Sequence, residues 1–172
     1  MLPDEGARLR ISPRQFEASL RYGWLYGLAL TTDGEPRGAA VWLRPGETEI
    51  SASRAQAAGM GDLAGPMGPE GSIRSLRIWR LFADTRAREA GARYWYLMVI
   101  GVLPAFRGQG IGAALMQPAL AQADSDRLPC FVETVQPRNR PLYERHGFRL
   151  VWDHSDVESG LRLMSLVRPP HA

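Results

Sequence analysis

The sequence predicts a single domain of the mixed α/β (α+β) class. The chain has 172 residues, of which 45% are hydrophobic, and this is enough for one core but short for two. Segments with helical periodicity alternate with short runs of β-branched and aromatic residues. No repeat or low-complexity tract interrupts that order. We therefore treat residues 1–172 as one domain.

The composition excludes several classes of protein. The lone cysteine, Cys130, excludes an internal disulfide, and the three histidines lack the spacing of a zinc site, so no metal is predicted. The 21 basic residues are all arginines and are scattered, so nucleic-acid binding is not predicted despite a net charge of +3. No segment resembles a signal peptide or a membrane span. We expect a cytoplasmic protein without membrane contact.

The N-terminal part predicts a helix followed by a hairpin. Ser12, with a proline next and a glutamine three positions later, predicts a capped helix from Pro13 to about Tyr22, ended by Gly23. The apolar and β-branched runs 24–31 and 38–43 flank an Asp-Gly turn, which is typical of a β-hairpin.

The middle of the chain predicts a loop, a helix and a central strand. Residues 56–72 hold seven glycines and prolines, which predicts a loop or a pair of broken turns, either as a cover for a pocket or as a plain mobile connection. Residues 73–90 have an apolar stripe at helical spacing, and Gly91 ends that helix. The run 94–102 is the most strand-like of the chain and is expected at the centre of the sheet.

The C-terminal part continues the alternation. It predicts a helix over 110–123, a strand over 130–135, a helix over 138–146, and strands over 148–154 and 161–167. Pro118 lies inside the first of these helices, where it removes one hydrogen bond, so we expect a kink or an early end near Gln117.

Three glycines on alternate positions, Gly108, Gly110 and Gly112, open the helix after the central strand. Glycines at a helix start expose N–H groups at the positive end of the helix dipole, which suits a phosphate. Read alone, they also fit the G-x-G-x-x-A dinucleotide fingerprint, with Glu133 as the ribose-binding carboxylate. Five residues, 103–107, separate the strand from the first glycine, whereas in a dinucleotide-binding fold the strand turns directly into the first glycine. A dinucleotide-binding oxidoreductase is therefore the remote alternative.

Three separated elements resemble one known family. Residues 107–112, RGQGIG, resemble motif A, R/Q-x-x-G-x-G/A, of the GCN5-related N-acetyltransferases (GNAT), which bind acetyl-CoA. Val-Leu-Pro at 102–104 precedes this motif, and Asn139 and the segment YERHGF at 143–148 follow it. Within the family, residues 133–148 are most similar to the puromycin N-acetyltransferase branch.

The resemblance implies a fold and a division of the chain. The GNAT fold has a mixed, mostly antiparallel central sheet flanked by helices, with two central strands splayed apart to hold CoA. Residues 93–172 would form the acetyl-CoA-binding half and residues 1–92 the acceptor-side half. Gly101 lies where the splay is expected to begin.

The resemblance also implies which residues contact acetyl-CoA, the co-substrate. Backbone groups of Ile100 and Val102 would meet the pantetheine arm and the thioester, and an N–H there can stabilise the oxyanion. Asn139 would contact CoA, with helix capping as its alternative role. The pyrophosphate would be bound by the turn and helix start, namely Arg107, Gly108, Gln109, Gly110, Ile111, Gly112 and Ala113.

The implied reaction is direct transfer of acetyl from acetyl-CoA to an amine, which we expect on a small molecule. Tyr143 would contact CoA and act as general acid for the leaving thiolate. Glu133 is the candidate general base, because a partly desolvated carboxylate has a raised pKa. A structural pair with Arg138 or Arg140, or a water relay, is the alternative for Glu133. A non-catalytic CoA-binding protein of the same fold is the alternative function.

The acceptor has no motif in this sequence. Its candidates are Trp24, Tyr26, Trp42 and the predicted loop 56–72, all in the first half. The family normally begins with one more strand and helix than this chain supplies. The native start would then lie upstream of Met1, or the sheet edge would be bare and pair in a homodimer.

Overall fold

A computed structural model describes residues 5–171, apart from the side chains at positions 5, 7, 8, 64 and 66. A six-stranded sheet of order β1-β2-β3-β4-β6-β5 is flanked by helices. The strands are β1 Leu28–Thr31, β2 Gly38–Leu43, β3 Trp95–Val102, β4 Cys130–Thr134, β5 Arg149–Asp156 and β6 Leu161–Arg168. The helices are α1 Glu5–Tyr26, α2 Ala52–Ala57, α3 Ala64–Glu89, α4 Ile111–Ser125 and α5 Arg140–Glu144, with single 3₁₀ turns at 61–63, 104–106 and 137–139.

The strand directions confirm the predicted mixed sheet. Strands β3 and β4 are parallel, and every other neighbouring pair is antiparallel. A dinucleotide fold needs several adjacent parallel strands, so this topology excludes the remote oxidoreductase alternative. Within residues 5–171, helix α1 precedes β1 and no strand pairs with the outer edge of β1.

Hydrophobic side chains fill both faces of the sheet. On one face α4 and α5 cover Trp42 and Leu97, and on the other Tyr22 of α1 packs with Val41 and Phe131. Side chains alternate across a strand, so the neighbours Val41 and Trp42 belong to different layers. Helix α3 extends the second layer and packs on β6.

Helix α1 is longer than predicted at both ends. It begins at Glu5 and runs through Pro13 to Tyr26. It continues through Gly23 instead of ending there. A Cβ built at this position would lie 2.6 Å from a methyl carbon of Val41, so a side chain would not fit. Gly23 therefore allows α1 to pack closely on β2, and this close approach overrides the breaker signal. The first strand starts at Leu28, four residues later than the predicted run.

The predicted loop over 56–72 is wrong, because most of this segment is helical. Ser51 caps α2 by accepting a hydrogen bond from the N–H of Arg54 at 3.3 Å. Helix α3 spans the rest but is broken at Gly68, whose φ of 69° and ψ of 171° are not helical. Pro69 follows the break at a first helical position, where proline is tolerated. The glycines and prolines thus shape two helical pieces.

The C-terminal elements follow the prediction closely. Strand β3 is central and α4 starts within a residue of its predicted start. Helix α4 continues past Pro118 to Ser125, so the early end expected near Gln117 does not occur.

An ion pair ties α4 to the end of β6. The guanidinium of Arg168 donates to both carboxylate oxygens of Asp124 at 2.7 Å, and the N–H of His171 donates to the same carboxylate at 2.7 Å. Arg168 is buried. The Arg168 guanidinium lowers the pKa of Asp124 to about 2.

We predict that Asp124→Asn lowers the free energy of unfolding at pH 7 by about 1–2 kcal/mol. A carboxyl whose pKa falls on folding stabilises the chain above its unfolded pKa of about 3.9, and that contribution is lost as the pH drops towards about 2. Urea unfolding followed by tryptophan fluorescence at pH 7 and pH 3 should therefore show a smaller difference for the variant than for wild type. Asp33→Asn, in the exposed hairpin turn, is the control and should behave as wild type.

Candidate active site

The site is built on the parting of β3 from β4. These strands pair from Trp95 to Leu97 and then separate, while β4 stays paired with β6 as far as Thr134. Val41 and Trp42 of β2 are opposite Val99 and Leu97, so Met98 is an extra residue in β3 and forms a β-bulge. A bulge bends the strand that contains it. The splay thus begins at Met98, three residues before its predicted place at Gly101.

A cleft of about 1050 Å³ lies on the α4–α5 side of this gap. The end of β3, the turn before α4 and one face of α5 form its walls. Every residue predicted to contact acetyl-CoA lines it, with the exception of Gln109, whose Nε2 donates to the carbonyl of Ala105 at 3.3 Å. These residues are Ile100, Val102, Arg107, Gly108, Gly110, Ile111, Gly112, Ala113, Asn139 and Tyr143.

The turn before α4 requires glycine for its backbone conformation. Gly108 and Gly110 have φ values of 77° and 80°, in the region that side chains disfavour. The first intrahelical hydrogen bond of α4 runs from the N–H of Ala114 to the carbonyl of Gly110 at 3.0 Å. The N–H groups of residues 111–113 therefore lack intrahelical partners, and their residues line the cleft. This cradle fits the pyrophosphate of CoA.

Arg107 lies at the head of the turn. Its Nε donates to the carbonyl of Val102 at 3.2 Å, and its side chain is exposed. This bond holds the turn against the end of β3. It also engages the Val102 carbonyl, one of the backbone groups predicted to meet the pantetheine arm.

Tyr143 and Asn139 stand where the cleft meets the gap between the strands. Tyr143 is 3% exposed and packs on Phe148, and burial raises its pKa to about 12. Among the hydrogen bonds described for residues 5–171, none involves its hydroxyl. Asn139 occupies the N-cap position of α5, but its side chain makes no capping hydrogen bond. The capping alternative is therefore wrong, and the side chain borders the cleft instead.

A second, smaller cavity of about 260 Å³ opens on the other side of the gap, between α1, α3 and the two parting strands. It shares Phe16, Val99, Ile100, Asn139 and Tyr143 with the larger cleft. The two spaces thus meet through the sheet, and Tyr143 borders both.

Glu133 lies on the wall of this smaller cavity inside a buried polar triad. The Nη1 of Arg86 is 2.6 Å from both carboxylate oxygens, and the hydroxyl of Tyr96 donates to Oε2 at 2.8 Å. Burial raises the pKa of Glu133, against the opposing effect of Arg86. The predicted structural partners, Arg138 and Arg140, are not the ones that pair with it. The actual partner lies 47 positions earlier, on α3.

A second ion pair fixes α3 two and a half turns before Arg86. Arg77 donates to both oxygens of Asp156 at 2.6 and 2.7 Å, and the N–H of Ser159 donates to the same carboxylate at 2.9 Å. These bonds hold the pKa of Asp156 well below its usual range. Between the two pairs, Ile78 and Phe82 of α3 pack on β6 and line the smaller cavity.

The predicted acceptor residues do not reach this cavity. Trp42 is fully buried in the core, Trp24 is 82% exposed on the surface of α1, and Tyr26 packs near Arg54. No residue of 56–72 with a described side chain lines either space. The side chains that sequence reasoning missed are Phe16, Trp79 and Phe82. Trp79 belongs to the apolar stripe predicted over 73–90, which was a signal for it, whereas no motif marks Phe82 or Phe16, the latter on α1.

In the part of the chain that the structure describes, no cluster of three or more His, Cys, Asp or Glu residues could hold a metal ion. No helix within residues 5–171 is long and apolar enough to cross a bilayer.

Comparison with known proteins agrees with this architecture. Residues 74–150 match the model of the acetyltransferase (GNAT) domain. The chain is 27% identical over 143 residues to an uncharacterised N-acetyltransferase of Schizosaccharomyces pombe, covering 81% of this chain and 58% of the yeast protein. It therefore spans less than two thirds of that relative.

Solved structures share the fold at low identity. A histone acetyltransferase HPA2 and related acetyltransferase from Corynebacterium glutamicum superposes with a TM-score of 0.60 at 18% identity, covering 99% of this chain and 80% of that one. An agmatine N-acetyltransferase superposes with a TM-score of 0.53 at 20% identity, covering 80% of this chain and 73% of that one. The similarity to the puromycin branch stays a prediction. Residues 74–150 thus carry the match to the GNAT domain, and the chain as a whole has the fold of the GNAT acetyltransferases.

Proposed function

We propose that this protein is an N-acetyltransferase that moves the acetyl group of acetyl-CoA to the amine of a small molecule. The observation that carries the proposal is the gap between β3 and β4. It joins a cleft suited to a pyrophosphate and an extended arm with a smaller cavity of about 260 Å³. A thioester at the junction would face both an amine in the cavity and the hydroxyl of Tyr143.

The reaction balances without a metal or a covalent enzyme intermediate. The neutral acceptor nitrogen attacks the thioester carbonyl carbon, a C–N bond forms, and the C–S bond breaks. The nitrogen loses one proton and the sulfur gains one. The protein must therefore orient the two reactants and provide routes for those protons.

Tyr143 is the proposed donor to the leaving sulfur. With a pKa of about 12 it keeps its proton at every physiological pH. A thiol has a pKa of about 8.5, so full proton transfer from Tyr143 to a free thiolate is unfavourable. Its hydrogen bond to sulfur gains strength as negative charge develops there, and this lowers the barrier to C–S cleavage. The proton lost by the acceptor nitrogen can then replace any that Tyr143 donates.

The alternative is a non-catalytic CoA-binding protein of the same fold. The connection between cleft and cavity favours the enzyme, since binding CoA alone needs no second space across the sheet. Incubation with acetyl-CoA and a panel of primary amines, following free thiol, separates the two functions. Thiol release that depends on an amine supports the enzyme, and calorimetric acetyl-CoA binding without any release supports the alternative.

We predict that Tyr143→Phe lowers kcat by about a hundredfold or more, because it removes the hydrogen bond to the leaving sulfur but keeps the packing of the ring. Acetyl-CoA binding measured by calorimetry should stay within about threefold of wild type, since the phosphate cradle is untouched. Tyr26→Phe, outside both spaces, is the matched control. Normal turnover in Tyr143→Phe would refute the assignment.

The pH dependence follows from the same pKa. We predict that kcat/KM rises from pH 6 to pH 9 as the acceptor ammonium loses its proton, with no fall before about pH 10, because Tyr143 stays protonated throughout. Initial rates of thiol release in overlapping buffers test this. A falling limb centred near pH 8 in wild type would mean that another group donates the proton.

Two routes are proposed for the proton that the acceptor nitrogen loses: Glu133 as general base, and a water relay. The place of Glu133 on the cavity wall and its raised pKa support the first role. The close contact of Arg86 with both carboxylate oxygens supports the water relay, because it leaves the carboxylate little freedom to accept a proton from the acceptor.

A paired substitution separates these routes. Because Arg86 engages the carboxylate, we predict that Glu133→Gln combined with Arg86→Met keeps kcat within about tenfold of wild type at pH 9, where more acceptor is already neutral. The pair removes both buried charges, so no unpaired charge is left to unfold the site. A loss of a hundredfold or more across the whole pH range, in a variant with a wild-type circular dichroism spectrum, would establish Glu133 as the base.

A further inference from the structure

The smaller cavity has a rigid, largely apolar wall. Phe16 of α1 and Ile78, Trp79 and Phe82 of α3 face the parting strands across it. The pairs Arg77–Asp156 and Arg86–Glu133 fix α3 on either side of those three residues. The wall is therefore held in place before any ligand binds, which reduces the entropic cost of binding.

The charges that line the cavity also restrict which acceptor can bind. Glu133 is the one ionisable acid or base among its described lining residues other than the two tyrosines, and its charge is balanced by Arg86 at 2.6 Å. The side chain of Glu133 is 4% exposed and that of Arg86 is 12% exposed, so solvent screens this pair little. No carboxylate is left over to bind a second positive charge on an acceptor.

The cavity volume favours a compact acceptor. The space is about 260 Å³, partly open and continuous with the larger cleft. This matches one ring with a short arm that ends in an amine. It is smaller than the pockets of about 300–1,000 Å³ that hold drug-sized ligands.

We propose that the acceptor is a compact monoamine with an apolar, ring-sized body, bound against Phe16, Trp79 and Phe82 with its nitrogen at the gap between β3 and β4. This inference rests on the proposed function and names the substrate class of the same site. A second ammonium or a guanidinium on the acceptor would lie against the apolar wall without a carboxylate partner, which is unfavourable. The chain would thus differ from the agmatine N-acetyltransferase whose fold it shares, since agmatine carries a guanidinium beside its amine.

The first experiment compares matched acceptors at saturating acetyl-CoA. Pentylamine and 1,5-diaminopentane have the same carbon chain and differ by one ammonium, and 2-phenylethylamine adds the ring. We expect kcat/KM for pentylamine to exceed that for the diamine by about a hundredfold, and 2-phenylethylamine to be the best of the three. Equal values for the monoamine and the diamine, or turnover confined to a peptide N-terminus, would overturn the proposal.

A gain-of-function variant tests the charge argument directly. Ser75 of α3 lines the cavity, so Ser75→Asp supplies the missing carboxylate. We expect it to reduce the preference for pentylamine over the diamine by about tenfold or more. Ala83→Asp, exposed on the same helix, adds the same charge outside the cavity and should leave the preference unchanged. An unchanged preference in a folded Ser75→Asp protein would contradict the assignment.

Equilibrium binding distinguishes failure of this proposal from failure of the proposed function. Calorimetric titration of each amine into the protein saturated with CoA reports selectivity without requiring turnover. Tighter binding of 2-phenylethylamine than of 1,5-diaminopentane, with no acetyl transfer to either, would support the proposed acceptor site and contradict the proposed acetyltransferase activity. Acetyl transfer with tighter binding of the diamine would uphold the enzyme and refute the substrate class.

Discussion

The parting of β3 from β4 is the constraint on which the rest of the structure depends. Each strand keeps its other partner, β2 or β6, so neither becomes free to refold when the pair opens. The bulge at Met98 bends β3 away and leaves unpaired backbone groups on both inner edges. Such groups are costly when buried without a hydrogen bond, so the gap must stay open to water or to an extended ligand. The same opening is what connects the two faces of the sheet.

Helix α3 provides a wall of the smaller cavity beside this opening. Buried ion pairs are weak evidence for stability, because the desolvation of both charges offsets much of their attraction. Their effect here is positional, since each joins α3 to a different part of the sheet: Arg86 to β4 and Arg77 to the end of β5. Two such points remove both sliding and rotation of the helix. The side chains between them therefore face the gap in one orientation, which a single apolar contact would not ensure.

Sequence reasoning predicted the residues that line the larger cleft well and those that line the smaller cavity poorly, and the difference is physical. The cradle around Gly108 and Gly110 depends on local backbone conformation, which neighbouring residues determine. Gly23 looks like a helix end in the sequence, but its role comes from Val41, which is distant along the chain. The partner of Glu133 was likewise sought among nearby arginines and lies on α3. The conformation of segment 56–72 was missed for the same reason. The segment has weak local preferences, so its packing against the rest of the fold determines its conformation.

Under the proposed function, the two spaces would recognise their ligands by different means. A cradle of backbone N–H groups binds a phosphate whatever the surrounding side chains are, whereas the acceptor wall consists of side chains from α1 and α3. Phe16 belongs to both spaces, and its ring lies 3.7 Å from where a Cβ of Gly101 would stand. It covers the strand end where the thioester is expected, and it also bounds the acceptor cavity. A body that fills the cavity against Phe16 would thus also fix the distance between its amine and the thioester, so that selection of the acceptor and its alignment for attack depend on the same contact.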